Sequence, residues 1–183
     1  MSTSNKKSNN LSFLAWNING LSSKSLRDKS QHSEFLDVIN NFDFVILCET
    51  WTRSNVVEVR GFASVTQDAT KSRKSGRDSA GTDLLYKNTF HDWISIVKKT
   101  CNFLWFKIDN DYAKTVKDIY TCDLYIPPCN SPYFNVELFE ELENDIEIFS
   151  SQGSILLMGL SNARTGKYSD SVCKEGNNLI TND

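Results

Sequence analysis

The sequence predicts a mixed α/β sandwich, in which β-sheets pack against flanking helices. Short apolar runs alternate with amphipathic helical segments near both ends of the chain, whereas the middle holds three apolar runs separated by short polar breaks. Alternating strands and helices favour parallel pairing, and closely spaced strands favour an antiparallel meander. A sandwich that combines both patterns is therefore favoured over a purely parallel, doubly wound sheet.

The first half of the chain predicts one helix and four strands. An apolar face near the end of residues 25–41 indicates an amphipathic helix, and residues 67–83 form a polar stretch that indicates a loop. Short apolar runs around these two segments predict strands at residues 11–16, 44–48, 62–65 and 84–86.

The second half predicts the meander followed by a helix and a buried strand. The meander comprises residues 93–97, 103–108 and 116–126, and Pro127 with Pro128 ends it. Apolar residues at three- and four-residue steps predict a helix over residues 133–149, and residues 155–158 follow as a strand. After Met158 no strong further strand is predicted.

The composition is that of one globular domain. The chain has 183 residues, of which 39% are hydrophobic, with only 8 Gly and 3 Pro, so disordered and fibrous classes are excluded. Residues 1–10 are expected to be a disordered polar tail and residues 11–183 a partial domain. No apolar run could cross a bilayer or serve as a signal peptide, so we expect an intracellular protein without membrane contact.

Cysteine spacing and net charge exclude two further kinds of function. The 5 cysteines are scattered without a Cys-x-x-Cys pair, which predicts free thiols rather than a zinc or redox site. A net charge of -3 argues against binding nucleic acid by bulk electrostatics, because phosphate binding needs concentrated Lys and Arg. Any DNA contact is expected to be local.

Four short polar motifs follow apolar runs in a fixed order. Each lies where a predicted strand ends, so their side chains can converge on one rim of a sheet. Four such motifs in order are much harder to obtain by chance than one. They are Trp16-Asn17-Ile18-Asn19-Gly20, Cys48-Glu49-Thr50-Trp51, Leu124-Tyr125-Ile126-Pro127-Pro128 and Gly159-Leu160-Ser161-Asn162-Ala163-Arg164-Thr165-Gly166.

These motifs, with Asn130-Ser131-Pro132 after the double proline, resemble the endonuclease/exonuclease/phosphatase superfamily. The resemblance is to its branch of apurinic-type endonuclease domains in non-LTR (LINE-like) retrotransposons. It implies a four-layer sandwich of two mixed β-sheets flanked by helices, here incomplete at the C-terminal end. It also implies Mg²⁺-dependent phosphodiester cleavage that nicks target DNA, and a nuclear location.

Site roles follow from the resemblance by position. Glu49 matches the metal-binding carboxylate, which suits the preference of Mg²⁺ for hard oxygen ligands. Asn17 matches the Asn that supports the metal and phosphate, Tyr125 the Tyr that contacts the phosphate, and Asn162 the Asn that orients the attacking water. The alternatives are a solvated strand-end Glu for Glu49, a turn-forming Asn for Asn17 and a core Tyr for Tyr125.

The chain departs from the family pattern twice. Leu160 stands where the family has an Asp that orients and activates the nucleophile, and Leu can neither accept a proton nor bind a cation. The histidines are His32 and His91, and the sequence ends at Asp183 before reaching the late Ser-Asp-His segment that supplies the family's general base. Nothing in the spacing of Asp170 or Asp183 puts either beside Asn162. Impaired catalysis is therefore expected.

Three functions remain open from the sequence. The first is an active Mg²⁺ endonuclease with replacement groups, and the second is a retrotransposon remnant without chemistry. The third is a non-catalytic nucleic-acid-binding module that uses Lys6, Lys7 and the basic residues between Lys71 and Arg77. Mg²⁺ and DNA are the expected cofactor and partner, and the oligomeric state is not predicted.

Overall fold

Residues 10–21, 28–53, 57–69, 80–162, 171–174 and 178–181 are described by the computed structural model. They contain two four-stranded sheets, each with both parallel and antiparallel pairs. In the first sheet the strand order is β1-β2-β4-β3, with β1 and β2 parallel and the other neighbours antiparallel. Its strands are β1 (Phe13–Asn17), β2 (Phe44–Cys48), β3 (Phe62–Gln67) and β4 (Thr82–Lys87).

The second sheet contains the predicted meander. Its order is β5-β6-β7-β8, in which β5, β6 and β7 are antiparallel and β8 joins β7 in parallel. The strands are β5 (Ile94–Lys99), β6 (Phe103–Ile108), β7 (Ile119–Tyr125) and β8 (Ser154–Leu160). The prediction of two mixed sheets in an α/β sandwich is confirmed.

Helices lie on the outer faces of the two sheets. Helix α1 (Ser33–Ile39) packs on the first sheet and helix α3 (Glu137–Ser150) on the second, while the short α2 (Asn110–Ala113) follows β6. Two 3₁₀ turns, at Lys29–Gln31 and Asn88–Trp93, complete the helical segments.

The predicted helix over residues 25–41 is wrong in its first half. Within the described part, α1 begins only at Ser33, because His32 has an extended backbone that separates it from the 3₁₀ turn. The Asp28 carboxylate accepts a hydrogen bond from the Ser30 amide and so favours that separate turn. Residues 22–27 lie outside the described residues.

The core between the sheets consists of large apolar side chains from alternate strand positions. Strand residues on one face of each sheet meet here, and the opposite faces meet the helices, as the two-residue period of a strand requires. Burying each Leu, Ile or Phe contributes about 1.5–3 kcal/mol before entropy is counted. The fully buried members include Phe44, Ile46, Leu84, Leu104, Phe106 and Ile108.

Helix α3 is fixed to the second sheet by a buried acid. Asp145 is only 5% exposed. Its carboxylate accepts a 2.9 Å hydrogen bond from the Trp105 indole N–H and forms a 2.8 Å ion pair with Lys98. Lys98 also pairs with Glu141 at 2.9 Å. Glu137, Glu140, Glu143 and Glu147 are exposed, and no basic residue occurs in α3, so its outer face is strongly acidic.

Strands also occur after Met158, which the sequence analysis did not predict. Strand β8 continues to Leu160, and β9 (Ser171–Lys174) pairs antiparallel with β10 (Asn178–Thr181). Each of the two short strands has two β-prone apolar residues in mostly polar surroundings, so the pattern is weak. No helix in the described part of the chain is long and apolar enough to span a membrane.

Candidate functional site

Polar residues follow the carboxyl ends of two parallel strand pairs, one in each sheet. In the first sheet Asn17 is paired in register with Cys48, and Glu49 comes next. In the second sheet Tyr125 is paired with Leu160, and Asn162 lies two residues further on. Each sheet therefore presents one half of the predicted site at a strand end.

The two halves lie close together across the sandwich. Burial raises the pKa of the Tyr125 hydroxyl, and the negative charge of Glu49 raises it further. Burial likewise raises the pKa of the Cys48 thiol, with added contributions from Asp123 on the second sheet and from Glu49. The 2.7 Å hydrogen bond between Thr82, which is paired with Cys48, and Asp123, two residues before Tyr125, joins the sheets directly below these two rims.

The segment that carries Glu49 is held by backbone hydrogen bonds from both neighbouring loops. The Gly20 amide donates to the Glu49 carbonyl at 2.7 Å, and the Thr50 amide donates to the Gly81 carbonyl at 3.0 Å. Behind this segment, the Thr52 hydroxyl donates to the buried Asp83 carboxylate at 3.0 Å. These bonds fix the backbone on either side of the carboxylate.

Left-handed backbone conformations concentrate at this rim. Non-glycine residues rarely adopt them, and each costs of order 1–3 kcal/mol unless the surroundings enforce it. At the ends of β1, β2 and β8 such residues include Asn19 (φ 51), Glu49 (φ 56), Trp51 (φ 58) and Asn162 (φ 47). Strain of this kind collects at functional sites, which makes this rim a candidate site.

Asn17 lies at the exposed end of β1. Its side-chain Oδ1 accepts a 3.1 Å hydrogen bond from the Asn19 amide, and Lys29 Nζ donates to the Ile18 carbonyl at 2.6 Å. The turn-forming role that was the alternative for Asn17 is therefore present. One lone pair of Oδ1 remains for a further partner, because an amide oxygen accepts two hydrogen bonds.

Tyr125 and Asn162 form the half of the site on the second sheet. The Tyr125 hydroxyl, in a side chain that is 9% exposed, is hydrogen-bonded to Asn162. Asn162 Nδ2 donates to the Ile126 carbonyl at 2.9 Å, which holds the amide in place. A cavity of about 480 Å³ adjoins Asn162, and its walls include Pro127, Pro128, Phe134 and Phe139.

Leu160 faces the interior between the sheets. It packs against the apolar cluster that contains Cys48, Phe106 and Leu84, on the same face of β8 as Met158. Its carbonyl accepts a 2.9 Å hydrogen bond from the Ile126 amide. The leucine side chain is thus accommodated as a core residue beside the rim, and it brings no polar group to it.

Several solved structures share this architecture. The catalytic domain of Xenopus laevis APE2 superposes with a TM-score of 0.62 at 14% identity, over 90% of this chain and 62% of that one. The human Nocturnin catalytic domain with bound sulfate gives 0.56 at 13% identity, over 85% and 65%. The endonuclease domain of TRAS1, a telomere-specific non-LTR retrotransposon, gives 0.50 at 14% identity, over 88% and 63%.

The chain has the endonuclease/exonuclease/phosphatase fold. The resemblance seen in the sequence motifs is thereby confirmed at the level of fold, although no protein-family model and no curated protein sequence matches the chain. The chain spans less than two thirds of the length of the three structures compared.

A divalent cation would have few protein ligands in this fold. Within the described residues no three His, Cys, Asp or Glu side chains cluster as a metal site. The predicted donors, the Glu49 carboxylate and the Asn17 amide oxygen, are hard oxygen ligands. One carboxylate and one amide oxygen suit Mg²⁺, which keeps several waters and accepts substrate oxygens, better than a metal that needs an all-protein cage.

A buried polar network between and behind the sheets of this fold was missed by sequence reasoning. Asp123, Thr82 and Gln67 meet between the sheets, and Asp83 is enclosed by hydroxyls, including that of Thr66, on the other face of β4. Burial raises the pKa of Asp83 although these threonines hydrogen-bond to it. Polar residues at inward strand positions were the available signal.

Several predicted contact residues lie outside the described residues. These are the 1–9 part of the predicted tail with Lys6 and Lys7, the basic stretch from Lys71 to Arg77, the Ala163 to Gly166 part of the last motif, and Asp170 and Asp183. Of the predicted free thiols, those of Cys48, Cys101, Cys122 and Cys129 are confirmed.

Proposed function

We propose that this chain is a retrotransposon-type endonuclease/exonuclease/phosphatase domain with impaired Mg²⁺-dependent cleavage of DNA phosphodiesters. One observation carries the proposal: the 2.7 Å hydrogen bond between Thr82 and Asp123 joins the sheets directly below the strand ends that carry Glu49 and Tyr125. A carboxylate and a hydroxyl at neighbouring strand ends of this fold form an arrangement that could hold a metal-bound phosphate.

The role of each group follows from its chemistry. Glu49 and Asn17 would hold Mg²⁺, which when bound would neutralise charge on the phosphate. Tyr125 donates a hydrogen bond to a phosphate oxygen, since the raised pKa keeps its hydroxyl protonated at neutral pH. The Asn162 amide is held by the Ile126 carbonyl, so it is preorganised to orient water or a phosphate oxygen.

Impairment follows from Leu160. A positioned general acid or base contributes roughly 10²- to 10⁴-fold in rate. Leu160 packs in the apolar cluster and supplies no such group beside Tyr125. The endonuclease domain of TRAS1, a similar structure, belongs to a telomere-specific non-LTR retrotransposon, which supports the DNA-nicking assignment over other phosphodiesters.

The test is nicking of supercoiled plasmid with Mg²⁺ by the folded chain and by Glu49→Gln, with Glu58→Gln as a matched control. Glu58 is an exposed carboxylate on the segment before β3. We expect slow nicking that Glu49→Gln abolishes and Glu58→Gln retains. Equal nicking by wild type and Glu49→Gln would refute the assignment of the site.

The alternative is a non-catalytic nucleic-acid-binding module. This alternative is favoured by Leu160, which packs in the apolar interior where the family has an Asp. The remaining rim residues could still bind phosphate without that carboxylate. Binding of a fluorescent DNA oligonucleotide would be measured for the chain and for Asn162→Ala. A folded chain without nicking, whose DNA affinity nevertheless falls in Asn162→Ala, would support this alternative.

A further inference from the structure

Asp123 is a wholly buried acid that joins the two sheets. It lies on the inner face of β7, between Leu104 of β6 and Met158 of β8 in register, and it is 0% exposed. Its Oδ2 is 2.7 Å from the hydroxyl of Thr82 on β4, and its Oδ1 has no hydrogen-bond partner. Asp123 has no role in the metal and phosphate binding proposed above.

The hydrogen bonds around Thr82 require two protons. The Thr82 hydroxyl oxygen is 2.6 Å from Gln67 Oε1 and 2.7 Å from Asp123 Oδ2, yet a hydroxyl has one proton to donate. Gln67 cannot be reversed, because its Nε2 donates to the Thr100 carbonyl at 2.7 Å and a carbonyl only accepts. Thr82 therefore donates to Gln67, and Asp123 supplies the second proton.

The surroundings of Asp123 agree with a neutral acid. Burial raises the pKa of Asp123 to about 7, the Thr82 hydrogen bond opposes that rise, and the charge of Asp83 adds to it. The titratable groups facing it are the Cys48 thiol from β2 and Tyr125 further along β7, with Glu49 beyond Cys48, and none of these is a cation. The neighbours from β6 and β8 are apolar.

We propose that protonated Asp123 is a positioning residue which, by donating to Thr82, fixes the spacing between the two sheets that each carry half of the candidate site. The bond lies directly below both halves. Thr82 is paired with Cys48, the residue before Glu49, and Asp123 is two residues before Tyr125 on the same face. The claim that this spacing matters for DNA binding rests on the function proposed above, whereas the claim that Asp123 is protonated does not.

Cysteine labelling tests the spacing without any activity. Cys48 lies between the sheets, Cys122 lies buried on the other face of β7, and Cys101 and Cys129 are exposed. An uncharged maleimide is applied at pH 6 and pH 8, and each site is followed by mass spectrometry. We expect Thr82→Val to accelerate labelling of Cys48 at both pH values, with Cys122 unchanged.

The variant Asp123→Asn separates the proton from the side-chain shape, because its amide still donates to Thr82 but cannot ionise. With a pKa near 7, about one tenth of wild-type Asp123 stays protonated at pH 8. Cys48 should then label about tenfold more slowly in Asp123→Asn than in wild type at pH 8, and at a similar rate at pH 6. The negative charge of an ionised Asp123 raises the pKa of Cys48 and so would slow its labelling. Faster labelling of wild type therefore reports opening of the sheets rather than a direct effect of this charge. Equal rates at pH 8 would refute the proposal.

A second measurement needs no variant to fold. Carboxyl-¹³C aspartate NMR of the wild type, with sequence-specific assignment to separate Asp123 from buried Asp83, should show that Asp123 remains protonated at pH 6, and an ionised Asp123 at that pH would refute the proton assignment. DNA affinity at pH 6 and pH 8 then tests the functional part. A wild-type affinity that falls about tenfold, against a constant affinity for Asp123→Asn, is expected. A labelling difference without any DNA binding would leave the spacing role standing and refute the proposed function instead.

Discussion

The indole of Trp51 lies against Gly20, so closely that a methyl group on Gly20 would stand 2.3 Å from the ring. Gly20 also has a φ of +87, which side chains rarely adopt. This contact ties the loop after β1, which carries Asn17, to the segment after β2, which carries Glu49. The absence of a side chain at residue 20 is therefore part of how the first half of the site is built.

Replacing Gly20 tests that contact with a matched control in the same sheet. Gly61 has a φ of +89, but a methyl group there would meet nothing within 4 Å. Gly61→Ala should cost about 1–2 kcal/mol, from backbone strain alone. Gly20→Ala should cost more and should shift the fluorescence of Trp51, as measured by chemical denaturation and emission spectra. Equal losses for both variants would show that the indole moves without cost.

Removing the carboxylate of Asp145 should loosen helix α3. The buried Trp105 N–H would lose its acceptor, and Lys98 would lose the more buried of its two partners. We expect Asp145→Ala to lower the free energy of unfolding by about 2–3 kcal/mol. Glu141→Ala removes the more exposed partner of the same lysine and should cost at most about 1 kcal/mol. The two losses would be compared by urea denaturation, and a larger loss for Glu141→Ala would contradict the assignment of Asp145 as the anchor.

Stability at acid pH should depend on Asp43. Burial opposes ionisation of this carboxyl, but hydrogen bonds from the amide and hydroxyl of Ser12 and the 3.0 Å ion pair with Lys87 hold its pKa below the usual value. The lowered pKa means that its contribution is fully present above about pH 4 and is lost as pH falls through the folded-state value.

The corresponding measurement is the thermal midpoint of wild type and Asp43→Asn between pH 2 and pH 7. We expect the two curves to converge as the pH falls and to differ most above about pH 4. Asp37→Asn, an exposed acid on α1, serves as the control. Parallel curves for wild type and Asp43→Asn would mean that Ser12 and Lys87 do not stabilise the ionised form.

Position 160 should limit nicking if the proposed function is correct. Leu160→Asp would place a carboxylate beside Tyr125, and we expect Glu49-dependent nicking to increase by about 10²-fold, at some cost in thermal stability. Leu160→Asn has a similar shape without the charge and should give little increase. Plasmid nicking by folded samples measures both. A folded Leu160→Asp protein no faster than wild type would show that another missing group limits the reaction.

The sequence predicted most strands because uninterrupted apolar runs are explicit signals. The bounds of β2 and β6 match the predicted 44–48 and 103–108, and every strand of the sandwich was predicted within a few residues. Boundaries set by the backbone conformation of a single residue were harder, as the start of α1 after the extended His32 shows. The short α2, which begins at the Asp109 cap, was not predicted because four residues carry no helical period.

For the site, residue placement could be predicted from order along the chain, whereas contacts across the sandwich could not. Asn17, Glu49, Tyr125 and Asn162 do lie at strand ends. The hydrogen bond between Thr82 and Asp123 depends on how the sheets stack, and no pattern within either strand encodes that distance. The catalytic roles of the four residues stay predictions until the variants are measured.

The acidic outer face of α3 acts on a polyanion before any contact is made. Four exposed glutamates, with no Lys or Arg in the same helix, project a negative field that reaches about 8 Å at physiological ionic strength. This field repels the phosphates of a DNA strand near α3, so such a strand could bind only at a surface where the repulsion is weaker. The helix that stabilises the second sheet therefore also restricts the directions from which the DNA of the proposed function could approach, and added salt should weaken this restriction.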